Sequence, residues 1–222
     1  MQKYTVRLEG ITPLMMHRDN LEFKEILKKW QQDPANRNKS VPGDDRSPAW
    51  TWIGSLYHDG VEVAIPTDCI MASCMGGGAE VKVGRGAKTF KGQTQSGMAF
   101  EQPFLPLCSN GDKPVQVAHL QGLQRNEDFA EHLEVARALG FALDVRRAKP
   151  PGANSKHVRV RPLFEHWAAS GVLNVWDDSL KKDILETIFY QAGDRHGLLE
   201  WRPSARRPGP FGRFRAVLSV VH

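Results

Sequence analysis

Residues 178–193, DSLKKDILETIFYQAG, carry the clearest structural pattern in the sequence. Its apolar residues recur at the spacing of one face of an α-helix. Asp178 and Ser179 suit the N-terminal cap of that helix, and Gly193 suits the position just beyond its end. The last segment, Phe214 to Val221, has the continuous apolar centre of a central strand. A helix followed by a strand is therefore predicted to close the chain.

The first third of the chain predicts the same alternation of elements. Tyr4 to Leu8 alternates apolar and polar residues, as a half-buried strand does. Helices are predicted from Leu21 to about Gln32 and from Thr67 to a stop at Gly76–Gly78. This pattern predicts an α+β fold, with a ferredoxin-like or RRM-like βαββαβ core and long basic insertions.

We predict a single domain over residues 1–222 with two irregular additions. Residues 31–48 contain three prolines and lack apolar periodicity, so they are interpreted as a mobile loop. Residues 76–97 form a basic insertion, in which Val81, Val83 and Phe90 predict a flexible hairpin. Residues 116–145 stay ambiguous, because a strand at 116–123, a helix at 126–140 and pairing of 141–145 with 158–163 all fit.

Composition and length limit the class of protein. The 222 residues are 41% hydrophobic and 25% charged, which is typical of a soluble globular protein. No apolar run approaches the roughly 20 residues that cross a bilayer, and the N-terminus lacks the apolar run of a signal peptide. The three cysteines show no CxxC spacing and are interpreted as reduced thiols. We therefore expect a cytoplasmic protein with no membrane partner.

The basic residues are unevenly distributed along the chain. Residues 79–97, 146–161 and 195–215, called the first, second and third basic tracts below, hold 16 of the 30 Lys and Arg residues. They contain two acidic residues, Glu80 and Glu200, so their net charge is +14, whereas the rest of the chain has a net charge of −9. Each tract is rich in Gly or Pro and has aromatic residues in or beside it. Basic, flexible and aromatic segments suit a phosphate backbone with exposed bases.

The third basic tract carries the most suggestive motif. Gly193 and Gly197 follow a helix, where backbone N–H groups can hold phosphate oxygens. Arg202 and Arg213 can pair with further phosphates. The side chains that we predict to bind nucleic acid are Lys82, Arg85, Lys88 and Lys91 on the insertion, Arg146, Arg147, Arg159, Arg161 and Phe164 along one groove, and Arg202, Arg206, Arg207 and Arg213 near the glycine-rich turn.

Motifs for metals and cofactors are lacking in the sequence. The eight histidines include no HxH or HxxxH pair, so no metal site is expected. No phosphate-binding P-loop, GxSxG or HExxH motif occurs, so no cofactor is expected.

The glycine-rich end resembles that of RAMP-superfamily proteins, which are CRISPR-associated RNA binders with a ferredoxin-like or RRM-like fold. The resemblance rests on Gly193–Gly197 with Pro210–Phe214, on the opening Val6–Leu14, and on the insertion Gly76–Gly97. It implies an insertion that contacts nucleic acid and, as in RNA-backbone subunits, head-to-tail self-association into a filament.

The chain also resembles a family of small uncharacterised phage proteins. This likeness rests on Ile11–Leu14, Val63–Pro66, Arg159–Trp167, and the ending Gly197–Pro203 with Phe211–Phe214. It covers more of the chain than the first likeness and implies no particular activity.

The leading hypothesis is a non-catalytic protein that binds single-stranded RNA or DNA through its backbone and assembles along the strand. The second is a metal-independent endoribonuclease of RAMP type that uses His17 or a nearby base. The third is a structural phage protein whose basic tracts contact a protein partner or the genome. Nothing in the residues chooses between RNA and DNA.

Overall fold

The computed structural model describes residues 1–39, 41–109, 111, 113–148 and 156–221, which form an α+β fold with two antiparallel sheets. The strands are β1 (Gln2–Gly10), β2 (Leu14–Met15), β3 (Ala64–Pro66), β4 (Met98–Phe100), β5 (Phe104–Ser109), β6 (Ala142–Ala148), β7 (His157–Phe164), β8 (Trp167–Val175) and β9 (Phe214–Val220). The α-helices are α1 (Leu21–Gln32), α2 (Thr67–Glu80), α3 (Lys91–Ser96), α4 (Phe129–Ala138) and α5 (Lys182–Gln191). The predicted α+β class is confirmed.

The larger sheet has the strand order β3-β5-β8-β1-β9, and β4 also pairs with β8. Strand β1 lies between β8 and β9 and is antiparallel to both. Its side chains alternate as the sequence predicts: Tyr4, Val6 and Leu8 are buried, whereas Thr5 and Glu9 are exposed. One face of the sheet is therefore packed on the core.

Helices α2 and α5 contact each other, and α5 also contacts β9. Leu185, Ile188 and Phe189 of α5 are buried in the same apolar cluster as the inward side chains of β1. The prediction that the second helix stops at Gly76–Gly78 is wrong, because α2 continues to Glu80. A Cβ atom on Gly77 would lie 2.3 Å from the carbonyl oxygen of Ile188, so glycine is needed here for close helix packing.

The smaller sheet has the strand order β2-β7-β6. Its strand β6 includes the end of residues 116–145, the segment for which the sequence left several structures open. Residues Val117–Arg125 form a 3₁₀ helix, so the strand proposed at 116–123 is wrong, and α4 and β6 follow it. The pairing of β6 with β7 confirms the hairpin. Its predicted Pro-Pro-Gly tip, at 149–155, lies outside the described residues.

The predicted loop at 31–48 contains more structure than its sequence indicated. It begins inside α1, continues through a 3₁₀ turn at Pro34–Asn36, and then pairs with β7. The amide of Asp45 donates to the carbonyl oxygen of Val158 at 3.0 Å, and the amide of Val158 donates to that of Gly43 at 2.8 Å. The end of this segment is thus fixed to the smaller sheet. Among the described residues, the helices are too short or too polar to cross a membrane.

Candidate nucleic-acid interface and adjoining cavity

The second and third basic tracts meet at one aromatic contact. The guanidinium carbon of Arg146, on β6, lies 4.8 Å from the ring centre of Trp201 and 5.4 Å from that of Phe211. The two rings pack edge to face against each other, with their centres 5.7 Å apart. A guanidinium held over aromatic rings is a stable arrangement that still presents polar N–H groups. The second and third tracts are therefore neighbours in the structure.

The first basic tract joins the third through an ion pair. Arg195 Nη1 lies 3.2 Å from Glu80 Oε2, so the end of α2 is tied to the π-helical turn Ala192–His196. Residues 81–90 leave from this point as the predicted hairpin, in which Lys82 bridges to Thr89 and the amide of Val83 donates to Lys88. The described parts of the three tracts, distant in sequence, are therefore connected through these two contacts.

The four arginines predicted to line one groove are divided by the pleat of the β6–β7 pair. Arg146 lies opposite Arg159, on the face that also carries Arg161. Arg147 lies opposite Val158, on the other face, because successive strand residues point to opposite sides. The prediction that all four share one groove is wrong for Arg147.

Several predicted phosphate-binding arginines already have protein partners. Arg159 and Arg161 donate to the two oxygens of Asp45 at 2.8 and 3.0 Å. Arg146 is paired with Asp144, and Arg213 with Asp194. These arginines order the surface, and much of their charge is balanced within the protein.

Phe164 is a correction to the predicted site. Its side chain is wholly buried and packs on Phe141, with ring centres 5.0 Å apart. It therefore belongs to the core between the smaller sheet and the 3₁₀ segment Ala49–Ser55, and it is closed to a nucleic-acid base. The alternation of β7 explains this, because Phe164 shares the inward face with the buried Val160.

Apart from Arg202, the remaining predicted cations are exposed and make no ion pair or side-chain hydrogen bond among the described residues. They are Lys82, Arg85, Lys88, Lys91, Arg147, Arg206 and Arg207. All except Arg147 belong to the first and third tracts, which Glu80 and Arg195 connect. The exposed cations that make no ion pair in the described chain therefore lie mainly on two neighbouring loops.

A cavity of about 230 Å³ opens beside the third basic tract. Helix α2 provides one wall with Cys69, Ala72 and Ser73, whose spacing places them on one side of the helix. The opposite wall comes from the third basic tract. Its polar side chains are His196, Glu200, Arg202 and Ser204, and His17 and Tyr57 complete the lining.

Glu200 is the central polar group of this cavity. Its Oε2 atom lies 3.3 Å from His17 Nδ1, and His17 Nε2 lies 3.3 Å from Arg161 Nη2. The hydrogen bond from His17 and the charges of His17, Arg161 and Arg202 lower the pKa of Glu200 below its ordinary value, despite the opposing effect of burial. Glu200 is therefore an ionised acceptor at neutral pH.

The backbone around Glu200 adopts a sparsely populated conformation. Leu199 and Trp201, on either side of it, have φ angles of 59° and 50°, in the left-handed region that side chains other than glycine rarely adopt. The amide of Glu200 donates to the carbonyl oxygen of Met15 at 3.1 Å, which fixes the position of this carboxylate. Two such residues in succession around a carboxylate are typical of a functional site.

The rest of the lining is held by hydrogen bonds. Arg202 donates from Nη1 to the carbonyl oxygen of Leu199 at 2.9 Å and from Nε to Ser204 Oγ at 3.1 Å. Ser204 Oγ donates in turn to the carbonyl oxygen of His196 at 2.9 Å. His196 Nε2 is buried and has no hydrogen-bond partner within the described chain. These hydrogen bonds tie Arg202, Ser204 and His196 to one another along one wall of the cavity.

No protein-family model matches the sequence, and no curated protein matches it. Among the described residues, no group of three or more His, Cys, Asp or Glu side chains is arranged to hold a metal ion. The function must therefore be inferred from the surface and the cavity themselves.

Sequence reasoning missed most of the cavity. His17 was named as a candidate base, but Glu200 was treated as an exception within a basic tract, and Tyr57 was not considered as a site residue. One signal was available: Glu200 is one of two acidic residues in 56 tract residues, and a lone carboxylate among arginines indicates a specific partner. The left-handed backbone around it has no sequence signal, because Leu and Trp are not typical of that conformation.

Proposed function

We propose that this protein binds single-stranded RNA or DNA through the phosphate backbone, along the surface formed by the three basic tracts. The observation that carries the proposal is the connection of the tracts, by the contact of Arg146 with Trp201 and Phe211 and by the ion pair of Arg195 with Glu80. Exposed cations beside aromatic rings attract a backbone and give bases a surface on which to stack.

The core supports a ferredoxin-like interpretation of the fold. Taken in chain order, β1, α2, β5, β8, α5 and β9 follow a βαββαβ sequence, and their strands lie in the order β9-β1-β8-β5. This is the arrangement that the RAMP resemblance implies. The additions between these elements, including the hairpin at 81–90 and the smaller sheet, provide the basic surface.

The loops support binding better than the open face of the large sheet does. The outward side chains of β1, β8 and β9 include Thr5, Ser170 and Val217, and none of the described outward residues of these three strands is aromatic. A sheet that binds RNA in the RRM manner needs stacking aromatics on that face. The strand is therefore expected to follow the basic loops.

Self-association along the strand is part of the same proposal. The tracts have a net charge of +14 and the rest of the chain −9, so copies arranged head to tail can place unlike charges together. Sedimentation of the protein with single strands of increasing length tests this: discrete increments of mass support assembly, and one copy on every length contradicts it.

Fluorescence anisotropy with labelled single strands at increasing salt tests the binding. We expect affinity to fall steeply with salt, because bound phosphates release counterions. The double variant Arg206→Ala, Arg207→Ala should weaken binding to all sequences and reduce the salt slope by about one for each phosphate that the variant no longer binds. The matched control is Lys28→Ala, Lys29→Ala on α1, which removes the same charge from exposed positions outside the tracts.

Two outcomes contradict the proposal. One is equal binding at low and high salt; the other is an equal loss of affinity in the tract variant and the α1 control. If the protein purified at low salt carries no nucleic acid and binds none, the basic tracts instead meet a protein partner, as a structural phage component would require.

A second candidate function is metal-independent RNA cleavage at His17. The specific observation is that His17 lines the cavity between Glu200 and the guanidinium of Arg161. In such a reaction the 2′-oxygen attacks the adjacent phosphorus and the bond to the 5′-oxygen breaks. His17 would accept the proton of the 2′-hydroxyl or supply the proton to the leaving oxygen. Cleavage of labelled RNA in chelator, lost in His17→Ala, supports this candidate; intact RNA after long incubation excludes it.

A further inference from the structure

The cavity beside the proposed strand-binding surface has a polar composition that does not suit a phosphate backbone alone. Its polar wall pairs one carboxylate, Glu200, with one guanidinium, Arg202. A carboxylate repels a phosphate, whereas it accepts hydrogen bonds from hydroxyl groups. The ligand should therefore offer both an anionic group and hydroxyl donors.

Glu200 has the free capacity that this role needs. Its Oε2 atom faces His17, and its Oε1 atom makes no hydrogen bond within the described chain. The hydrogen bond from the backbone amide of Glu200 to the carbonyl oxygen of Met15 holds the residue in place, so the carboxylate needs little rearrangement to receive a ligand. A fixed carboxylate is a common acceptor for the hydroxyl groups of a ribose.

Arg202 provides the complementary cation. Its Nη1 and Nε atoms already bond to Leu199 and Ser204, which leaves Nη2 free of hydrogen bonds in the described chain. Its side chain is partly buried, so its attraction for an anion is stronger than that of a fully exposed arginine.

The size of the cavity limits the ligand. Pockets for drug-sized molecules usually enclose about 300–1,000 Å³. At about 230 Å³, this cavity suits one sugar–phosphate unit with its base partly outside. It is too small for two nucleotides.

We propose that the cavity binds one ribonucleotide, with its ribose hydroxyls donating to Glu200 and its phosphate held by Arg202. The shared chemistry is a ribose with two adjacent hydroxyls and one phosphate. This unit has two sources, the 3′-terminal nucleotide of an RNA strand or a free nucleoside monophosphate. The first source rests on the proposed function, because the basic surface would deliver the strand end to the cavity. A 2′-hydroxyl read in this way distinguishes RNA from DNA.

Calorimetric titration with adenosine 5′-monophosphate and with its 2′-deoxy form tests the cavity directly. We expect the ribose form to bind more tightly by about tenfold or more, the effect of one hydrogen bond to a charged acceptor. Glu200→Gln should reduce this ratio to near one. The matched control is Glu165→Gln, which makes the same change at an exposed position outside the cavity and should keep the ratio.

A second variant guards against a folding defect at Glu200. Ala72 lies on the exposed side of α2 and lines the cavity, so Ala72→Phe fills it without disturbing the core. It should abolish nucleotide binding while circular dichroism and thermal unfolding stay as in the wild type. If the ribose and deoxyribose forms bind equally, or if the filled variant binds as well as the wild type, the proposal is wrong.

A short RNA in which the 3′-terminal residue alone is 2′-deoxy separates the two sources. Weaker binding than to the all-ribose strand, with no effect of an internal 2′-deoxy residue, assigns the cavity to the strand end. Binding of the monophosphate with no effect of the terminal change assigns it to the free nucleotide. Failure of the proposed function has a different signature: strands do not bind at low salt, while the monophosphate still does.

Discussion

His17 Nδ1 lies 3.3 Å from Glu200 Oε2, although 183 residues separate the two in the chain. His17 follows β2, and Glu200 follows the π-helical turn after α5. Their contact therefore connects the smaller sheet with the end of the helical layer. It also places an ionised carboxylate near Arg202 of the third basic tract and Arg161 of the second, which is the least expected feature of a surface with so much positive charge.

Removing this contact should change how Glu200 titrates. His17→Ala eliminates the hydrogen bond that is the main cause of the lowered pKa of Glu200, so that pKa should rise toward its ordinary value of 4.5. The carboxyl carbon shift of Glu200, followed by NMR against pH, measures this. Arg161 and Arg202 remain in the variant, so a small lowering should persist.

The same pair has a consequence for stability. Because the pKa of Glu200 is lowered in the folded protein, its interactions stabilise the fold above pH 4.5 and are lost as the pH falls through the folded pKa. Chemical unfolding should show His17→Ala less stable than the wild type at neutral pH. The gap should narrow in acid; a gap that is constant with pH contradicts the assignment.

Asp45→Asn should be strongly destabilising. Asp45 is 11% exposed and accepts from Arg159, from Arg161 and from the amide of Val160. The amide side chain leaves two partly buried guanidinium groups without their counter-charge, which costs about 3 kcal/mol of the free energy of unfolding. Asp178→Asn, at an exposed position, is the control and should change stability little; equal effects of the two variants contradict the role of Asp45.

Two glycine-to-alanine variants should have opposite effects. At Gly77, in α2, the added Cβ meets the backbone of Ile188 and Ala192 at 2.3 and 2.8 Å, so α5 must move away. Overpacking outweighs the gain in helix propensity, and we expect a loss of about 2 kcal/mol. At Gly92, in α3, nothing lies within 4 Å of the added atom, so Gly92→Ala should stabilise by about 1 kcal/mol.

The free energies of unfolding of both variants, measured in urea, test this account of α2. The two substitutions are chemically identical and both lie in helices, so propensity alone predicts a gain at each. Stabilisation at Gly77 would contradict the close approach of α2 to α5.

The structural features that the sequence predicted best are those that depend on the local spacing of apolar residues. The alternation of Tyr4, Val6 and Leu8 is enough to place β1, because the strand period is two. Features that depend on contacts with residues far away in the sequence were predicted poorly. The glycines of α2 were interpreted as a helix stop, since nothing in residues 76–78 indicates that α5 packs against them.

The candidate site shows the same division. The basic tracts and the hairpin at 81–90 follow from composition, but the roles of individual side chains depend on pairing. Arg147 and Phe164 were placed in a groove because their charge and ring suit nucleic acid, and the register of β6 with β7 directs both away from it. Asp45 was placed in a mobile loop, and the partners that hold it are more than 110 residues away.

His132 is the group for which the structure predicts a clear pH dependence of stability. It is fully buried, its Nδ1 accepts from Trp52 Nε1 at 3.0 Å, and its Nε2 lies 2.9 Å from the carbonyl oxygen of Asn126. This neutral tautomer satisfies both ring nitrogens. Burial lowers the pKa of His132 from 6.5. Below pH 6.5 the unfolded chain therefore binds a proton that the folded protein does not. The stability of the folded protein therefore decreases as the pH falls.

The substitution His132→Phe should remove this pH dependence of stability, but it should also make the protein less stable at neutral pH. The indole N–H of Trp52 and the carbonyl oxygen of Asn126 lose their partner, so the variant should be less stable by about 2 kcal/mol at neutral pH. As the pH falls below 6.5 the wild type loses stability and the variant is spared that loss, so the difference should shrink. Urea unfolding of both proteins across this range measures it, and the other titrating groups cancel because both share them. If the difference stays constant or grows in acid, His132 is protonated in the folded protein, and Trp52 cannot be its donor.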